Sequence, residues 1–271
     1  MIARVGLLPR AGLAVLVVSG AFAGTAYAIE LAPHRAVYSM TLGATRAAIG
    51  IIGGSGDMYM EWAESCEGWT LTQRLRLKLF YSQGGAVDTD SRFSSWESRD
   101  GLSYRFTLRN LRDGKVSEEL RGRASLEGSG TGGVAAFTRP EGKKLHLPKG
   151  SVFPTEHMVQ LIERAQAGDK RLSRIVFDGA SLDGPQEVNA VIGRAIEAKA
   201  DGAGEKALTS RPSWRMRLAF FPLESMTPEP DYELGLRLFD NGVAEDLILD
   251  YGDFTLLAKI ERIEALPKPA C

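Results

Sequence analysis

Apolar and polar residues alternate with a period of two over most of this chain. Across residues 69–79, Leu71, Leu75, Leu77 and Leu79 take one side while Thr72, Arg74, Arg76 and Lys78 take the other. Successive side chains of a strand point to opposite faces, so the pattern predicts strands with one buried face. The same reading gives strands at 34–42, 57–63, 90–97, 102–110, 115–124 and 133–138, with Met58, Met60 and Trp62 sharing one side of the second. Strands resume at 172–178, 187–196, 213–221, 232–238, 244–249 and 255–266. Asp100-Gly101 and Asp113-Gly114 predict tight hairpin turns, because glycine accepts the positive φ those turns need. Turn signals at this spacing suit a meander or a barrel.

One segment breaks the period. Met158, Leu161, Ile162 and Ala165 recur at helical spacing, Pro154 and Thr155 mark a start, and Gly168 marks a stop. A short amphipathic helix is expected here, with one face laid on the sheet. Residues 201–210 read as a polar loop and 222–230 as a proline-containing excursion. The glycine-rich stretches 50–56 and 128–133 lack the lysine and the strand-to-helix setting of a phosphate loop, so they read as loops or hairpin tips. The fold class is mainly β: a long antiparallel sheet with one helix inserted mid-chain. We expect one domain over 29–271, with a pair of β-modules divided at the helix as the alternative.

Charge and cysteine content narrow the setting. Arg4 and Arg10, the apolar run from Leu13 to Val18, and Ala26-Tyr27-Ala28 have the layout of an export signal cleaved after residue 28. Those two arginines are its only charged residues, so the net charge of −1 becomes −3 without them. That balance argues against nucleic acid as the main partner. No apolar run is long enough for a transmembrane anchor, and the expected location is the periplasm. In an oxidising compartment the two cysteines, Cys66 and Cys271, are expected to form a disulfide. A redox-active thiol at Cys66 is the alternative. It is disfavoured by the absence of C-x-x-C and by Glu64 and Glu67, which would raise a thiol pKa.

No catalytic constellation emerges. The three histidines, His34, His146 and His157, have no ligand spacing with a cysteine or carboxylate, and His157 in the first helical turn reads as a cap or surface residue. No G-x-S-x-G elbow is present, and Glu118-Glu119 and Glu245-Asp246 read as solvated charges. No metal, cofactor or catalytic residue is expected, and a hydrolase of envelope polymers has no motif behind it. The apolar supply says more. Met58, Met60, Trp62, Trp69, Trp96, Met158 and Phe220 exceed what one face of a thin sheet needs. If the sheet curls around the helix they fill its inside; if the filling is incomplete, they line an apolar cavity suited to an acyl chain.

The run from Leu147 to Met158 (LPKGSVFPTEHM) resembles the envelope-integrity EipB family, as do Val176-Phe177-Asp178-Gly179 followed by Asp183-Gly184-Pro185. His34-Arg35-Ala36-Val37-Tyr38, Trp96-Glu97-Ser98 with Asp100-Gly101, and the Cys66 and Cys271 pair extend the resemblance over the chain after residue 28. It implies a non-enzymatic periplasmic protein that maintains the envelope of a Gram-negative cell. It also implies an overcoiled, spiral sheet similar in shape to the LolA and LolB lipoprotein carriers, closed by a Cys66–Cys271 disulfide. Two kinds of partner follow from it: a lipid or lipoprotein acyl chain held in the curved sheet, or a periplasmic tetratricopeptide-repeat protein bound without any small ligand.

Overall fold

A computed structural model describes residues 29–46, 50–199, 204–223 and 228–271. The expected export segment lies outside these residues, as do parts of the two expected loops. The strands are β1 (His34–Thr45), β2 (Ile51–Glu64), β3 (Gly68–Tyr81), β4 (Ala86–Ser98), β5 (Ser103–Arg112), β6 (Lys115–Leu126), β7 (Gly133–Arg139) and β8 (Lys144–Leu147). After them come β9 (Ser151–Val152), helix α1 (Pro154–Gln166), β10 (Arg171–Val176), β11 (Gln186–Ile196), β12 (Ser213–Pro222), β13 (Tyr232–Phe239), β14 (Ala244–Asp250) and β15 (Phe254–Ala265). A 3₁₀ turn, Gly204–Leu208, precedes β12.

All fifteen strands belong to one sheet, ordered β8-β7-β6-β5-β4-β3-β2-β1-β15-β14-β13-β12-β11-β10-β9. The first and last strands of the chain pair in its middle, and hairpins run outward from them in both directions. Pairing is antiparallel except at β9 and β10. The sheet is nearly closed and barrel-like, with an unsealed seam between β8 and β9. Register shifts in β1, β2, β5, β6, β11 and β13 bend the strands and increase their twist, which is how so long a sheet curls.

The alternation places one face inside. Three apolar clusters fill much of the interior. One joins α1 to β10–β13, one lies against β1–β3, β14 and β15, and one lies under β5–β7 at the seam. The helix begins at Pro154 and ends where Gly168 takes φ +83°, as its residues predict. The stretch 50–56 differs: Ile51–Gly56 belongs to β2, not to a loop. A Cβ at Gly56 would stand 2.0 Å from the Arg76 carbonyl oxygen, and one at Gly54 2.8 Å from Leu79 Cδ2. Glycine here permits close strand approach instead of a turn. Strands β8 and β9 are too short for period-two alternation to reveal.

Candidate functional site: the inner wall and its two closures

Met58, Met60 and Trp62 project from β2 into the sheet's concave side, where Met58 and Trp62 are buried and Met60 is half-buried. Trp69, Met158 and Phe220 pack, half-buried, against the cluster around α1. Met58 and Met60 belong to a different cluster, so these side chains share a wall without converging on one point. Trp96 departs from the expectation. Phe93, Ser95 and Glu97 take the inner face of β4, which turns Trp96 outward, under the guanidinium of Arg105. The wall is not uniformly covered. Met60, Leu71, Leu75 and Phe93 on one side, and Leu234, Leu236 and Leu249 on the other, face inward yet remain only half-buried.

The middle of the sheet is strapped. Cys66, in the β2–β3 turn, is bonded to Cys271, with Cα atoms 5.6 Å apart. The tail after β15 therefore crosses β1 to reach that turn. Arg99 holds the same turn, donating to the carbonyls of Cys66 (3.2 Å) and Ser65 (2.8 Å) and to Glu64 Oε1 (2.9 Å). The segment before β1 is pinned beneath: the Ala32 amide donates to the Asn241 carbonyl, the Leu266 amide to that of Pro33, and Lys268 pairs with Glu30. On the loop-entropy model, closing 205 residues is worth about 5 kcal/mol.

The seam is closed otherwise. No backbone pairing joins β8 to β9 among the described residues. Instead Phe153 and Phe177, flanking β9 and β10, reach across to Tyr104 and Phe106 of β5, and Phe137 of β7 packs edge-on against Phe106. Tyr104 stacks on Phe153 at 4.9 Å, and Phe106 meets Phe177 edge-on at 5.6 Å. The Tyr104 hydroxyl donates to the Asp178 carbonyl at 2.9 Å. Gly179 follows at φ +71°, and a Cβ there would lie 2.3 Å from the Phe106 ring, so no other residue fits the turn.

Glu97 completes this closure. Its carboxylate accepts the amides of Thr155 (2.7 Å) and Glu156 (3.0 Å), two of the donors that the start of α1 leaves unpaired, and so caps the helix from a distant strand. Burial pushes the Glu97 carboxyl up to about 7, against the two amide bonds that favour its anion. One turn on, His157 is 6 % exposed, not the surface residue its position suggested; its Nε2 has no partner, and burial lowers its pKa to about 4. Beside the helix start lies an open cleft of about 640 Å³, lined with polar groups including Asp100, Glu156, Gln160, Arg174 and Glu187. Among the described residues no group of three or more His, Cys, Asp or Glu could hold a metal, and no helix is long and apolar enough to cross a membrane.

The EipB-like family profile matches residues 25–267. The chain belongs to the EipB-like family. The cell envelope integrity protein EipB of Brucella abortus is 33 % identical over 247 residues, covering 89 % of this chain and 87 % of that protein. A crystal structure of a β-barrel-like Brucella abortus protein of the domain of unknown function DUF1849 superposes with a TM-score of 0.80. It is 31 % identical and covers 89 % of this chain and all of the other. The EipB-like stretch from Leu147 to Met158 is the seam itself: the end of β8, β9, Phe153 and the capped start of α1. The burial of Glu97 and His157 goes beyond what the sequence pattern predicts. For Glu97 the signal is there, since it shares a strand face with Phe93 and Ser95. Nothing in the sequence shows that the first turn of α1 is enclosed.

Proposed function

We propose that this chain maintains cell-envelope integrity from the periplasm without catalysing a reaction. It acts as a scaffold or carrier whose curved inner wall receives an apolar envelope component such as an acyl chain. The supporting observation is the half-buried belt of inward-facing Met60, Leu71, Leu75, Phe93, Leu234, Leu236 and Leu249. In a fully packed core such side chains are covered, whereas a wall that takes a guest leaves them accessible. The non-enzymatic reading rests on the absence of a nucleophile–base pair among the motifs and on the relative's name. Titrating delipidated protein with a fluorescent fatty acid tests it. Saturable binding, abolished by Leu75→Lys in a variant that still melts cooperatively, supports a carrier; no saturable binding sinks it.

A second reading is a partner-binding module, such as one for a tetratricopeptide-repeat protein, and the seam favours it. Phe137 and Lys143 form a hydrogen-bonded pair, so by antiparallel alternation the N–H and C=O groups of Lys144 and His146 point away from β7 to a free edge. Hydrogen-exchange protection of those two amides on adding the partner, without loss of the fatty-acid probe, would move the weight to this reading.

A further inference from the structure

The outer face of β3–β7 sets arginine against arginine. Residues in register on neighbouring antiparallel strands hold their side chains side by side, and like charges so placed repel. Arg74 faces Arg92, Arg92 faces Arg109, Arg105 faces Arg123, and Arg121 faces Arg139. The first pair is neutralised within the sheet, because Asp90 stands 2.7 Å from Arg74 and 2.9 Å from Arg92. Arg139 reaches Glu119 at 3.5 Å. Among the described residues, Arg105, Arg121 and Arg123 have no carboxylate at ion-pair distance.

These three arginines surround a depression of about 560 Å³ on the outside of the sheet, which Thr70, Ser94, Thr107 and Trp96 also line. Arg105 rests on the Trp96 ring, its Cζ 4.8 Å from the centroid. Val134, 45 % exposed, lines an adjoining hollow with Arg105 and Arg123. The patch does not reflect a basic protein, since the net charge is −1. An oxyanion between the arginines would replace repulsion with charge-assisted hydrogen bonds, and the guanidinium fork matches phosphate oxygens in pairs. A ring and an exposed aliphatic side chain beside such a site suit a ligand whose charged head is joined to apolar matter.

We propose that this depression binds the phosphate of a lipid headgroup at an anionic membrane surface. The proposal is independent of any guest on the inner wall, which lies on the opposite face of the sheet. Flotation of the oxidised protein with phosphatidylcholine vesicles, with and without phosphatidylglycerol, tests it. Binding should require phosphatidylglycerol and weaken with added salt. It should fall about fivefold per arginine removed, or about 25-fold in Arg105→Gln/Arg123→Gln. Arg215→Gln/Arg262→Gln removes the same charge from exposed positions elsewhere and should keep most of the binding.

Melting temperature provides an independent check. Losing one of two facing arginines should leave it unchanged or raise it, so a lower melting temperature for Arg123→Gln would contradict the premise of repulsion. Equal losses in the two double variants, or no preference for phosphatidylglycerol, would overturn the proposal. Inorganic phosphate perturbing the amides of Thr107 and Arg123 while no vesicle binds would overturn the lipid surface as its source.

Discussion

Where β15, β1 and β2 meet, a covalent bond and an arginine clamp hold the rim of the sheet. Where β8 and β9 meet, no strand pairing crosses among the described residues, and aromatic rings with a buried carboxylate do the holding. The strap answers to redox state, and its disulfide does not titrate. The seam answers to pH through Glu97 and His157 and has no redox chemistry. The two closures thus differ in kind, and the EipB-like stretch from Leu147 to Met158 lies at the second.

The two closures can be broken separately. Cys271→Ser should have the largest effect, a loss approaching the loop-entropy figure of about 5 kcal/mol. Far-ultraviolet circular dichroism should stay β-rich at ambient temperature, and reductant should lower the melting temperature of the parent but not of the variant. Phe153→Ala, which empties a fully buried ring position at the seam, should cost about 4 kcal/mol and leave the reductant effect intact. Because the two sites share no partners, the losses in the double variant should add; strong non-additivity in denaturant melts would show that strap and seam form one unit.

Smaller effects appear against pH. The folded-state pKa of Glu97 lies above its ordinary value, so its contribution to stability is full below about 4.5 and is lost as pH rises to about 7. That of His157 lies below its ordinary value, so its neutral burial costs stability as pH falls from 6.5 towards about 4. The two slopes oppose each other over most of that range. Relative to the parent, Glu97→Gln should therefore gain stability as pH rises between about 4.5 and 7. His157→Asn should lose stability relative to the parent as pH rises between about 4 and 6.5. Each slope integrates to about 3 kcal/mol at most, at 1.36 kcal/mol per pKa unit. Parallel pH profiles for parent and Glu97→Gln would remove Glu97 from the closure.

Strand after strand was legible because alternation reports which face is buried, and α1 because Pro154, the 3.6-residue period and Gly168 agree. What depends on register was not. The glycines of β2 looked like a loop until the neighbouring carbonyl of Arg76 explained them. Trp96 looked like wall material because its size says nothing of which face it takes; one position along, Glu97 shows that it points out. The facing arginines are ordinary polar positions in sequence and come side by side only when β5 and β6 are paired.

Whether the inner wall holds an apolar guest is tested most directly by native mass spectrometry of protein purified oxidised from its own envelope. An occupied wall predicts a mass two protons light for the disulfide, with an added lipid-sized component that is missing from Leu75→Lys. A bare oxidised mass from both proteins, with no fatty-acid binding after delipidation, would contradict it.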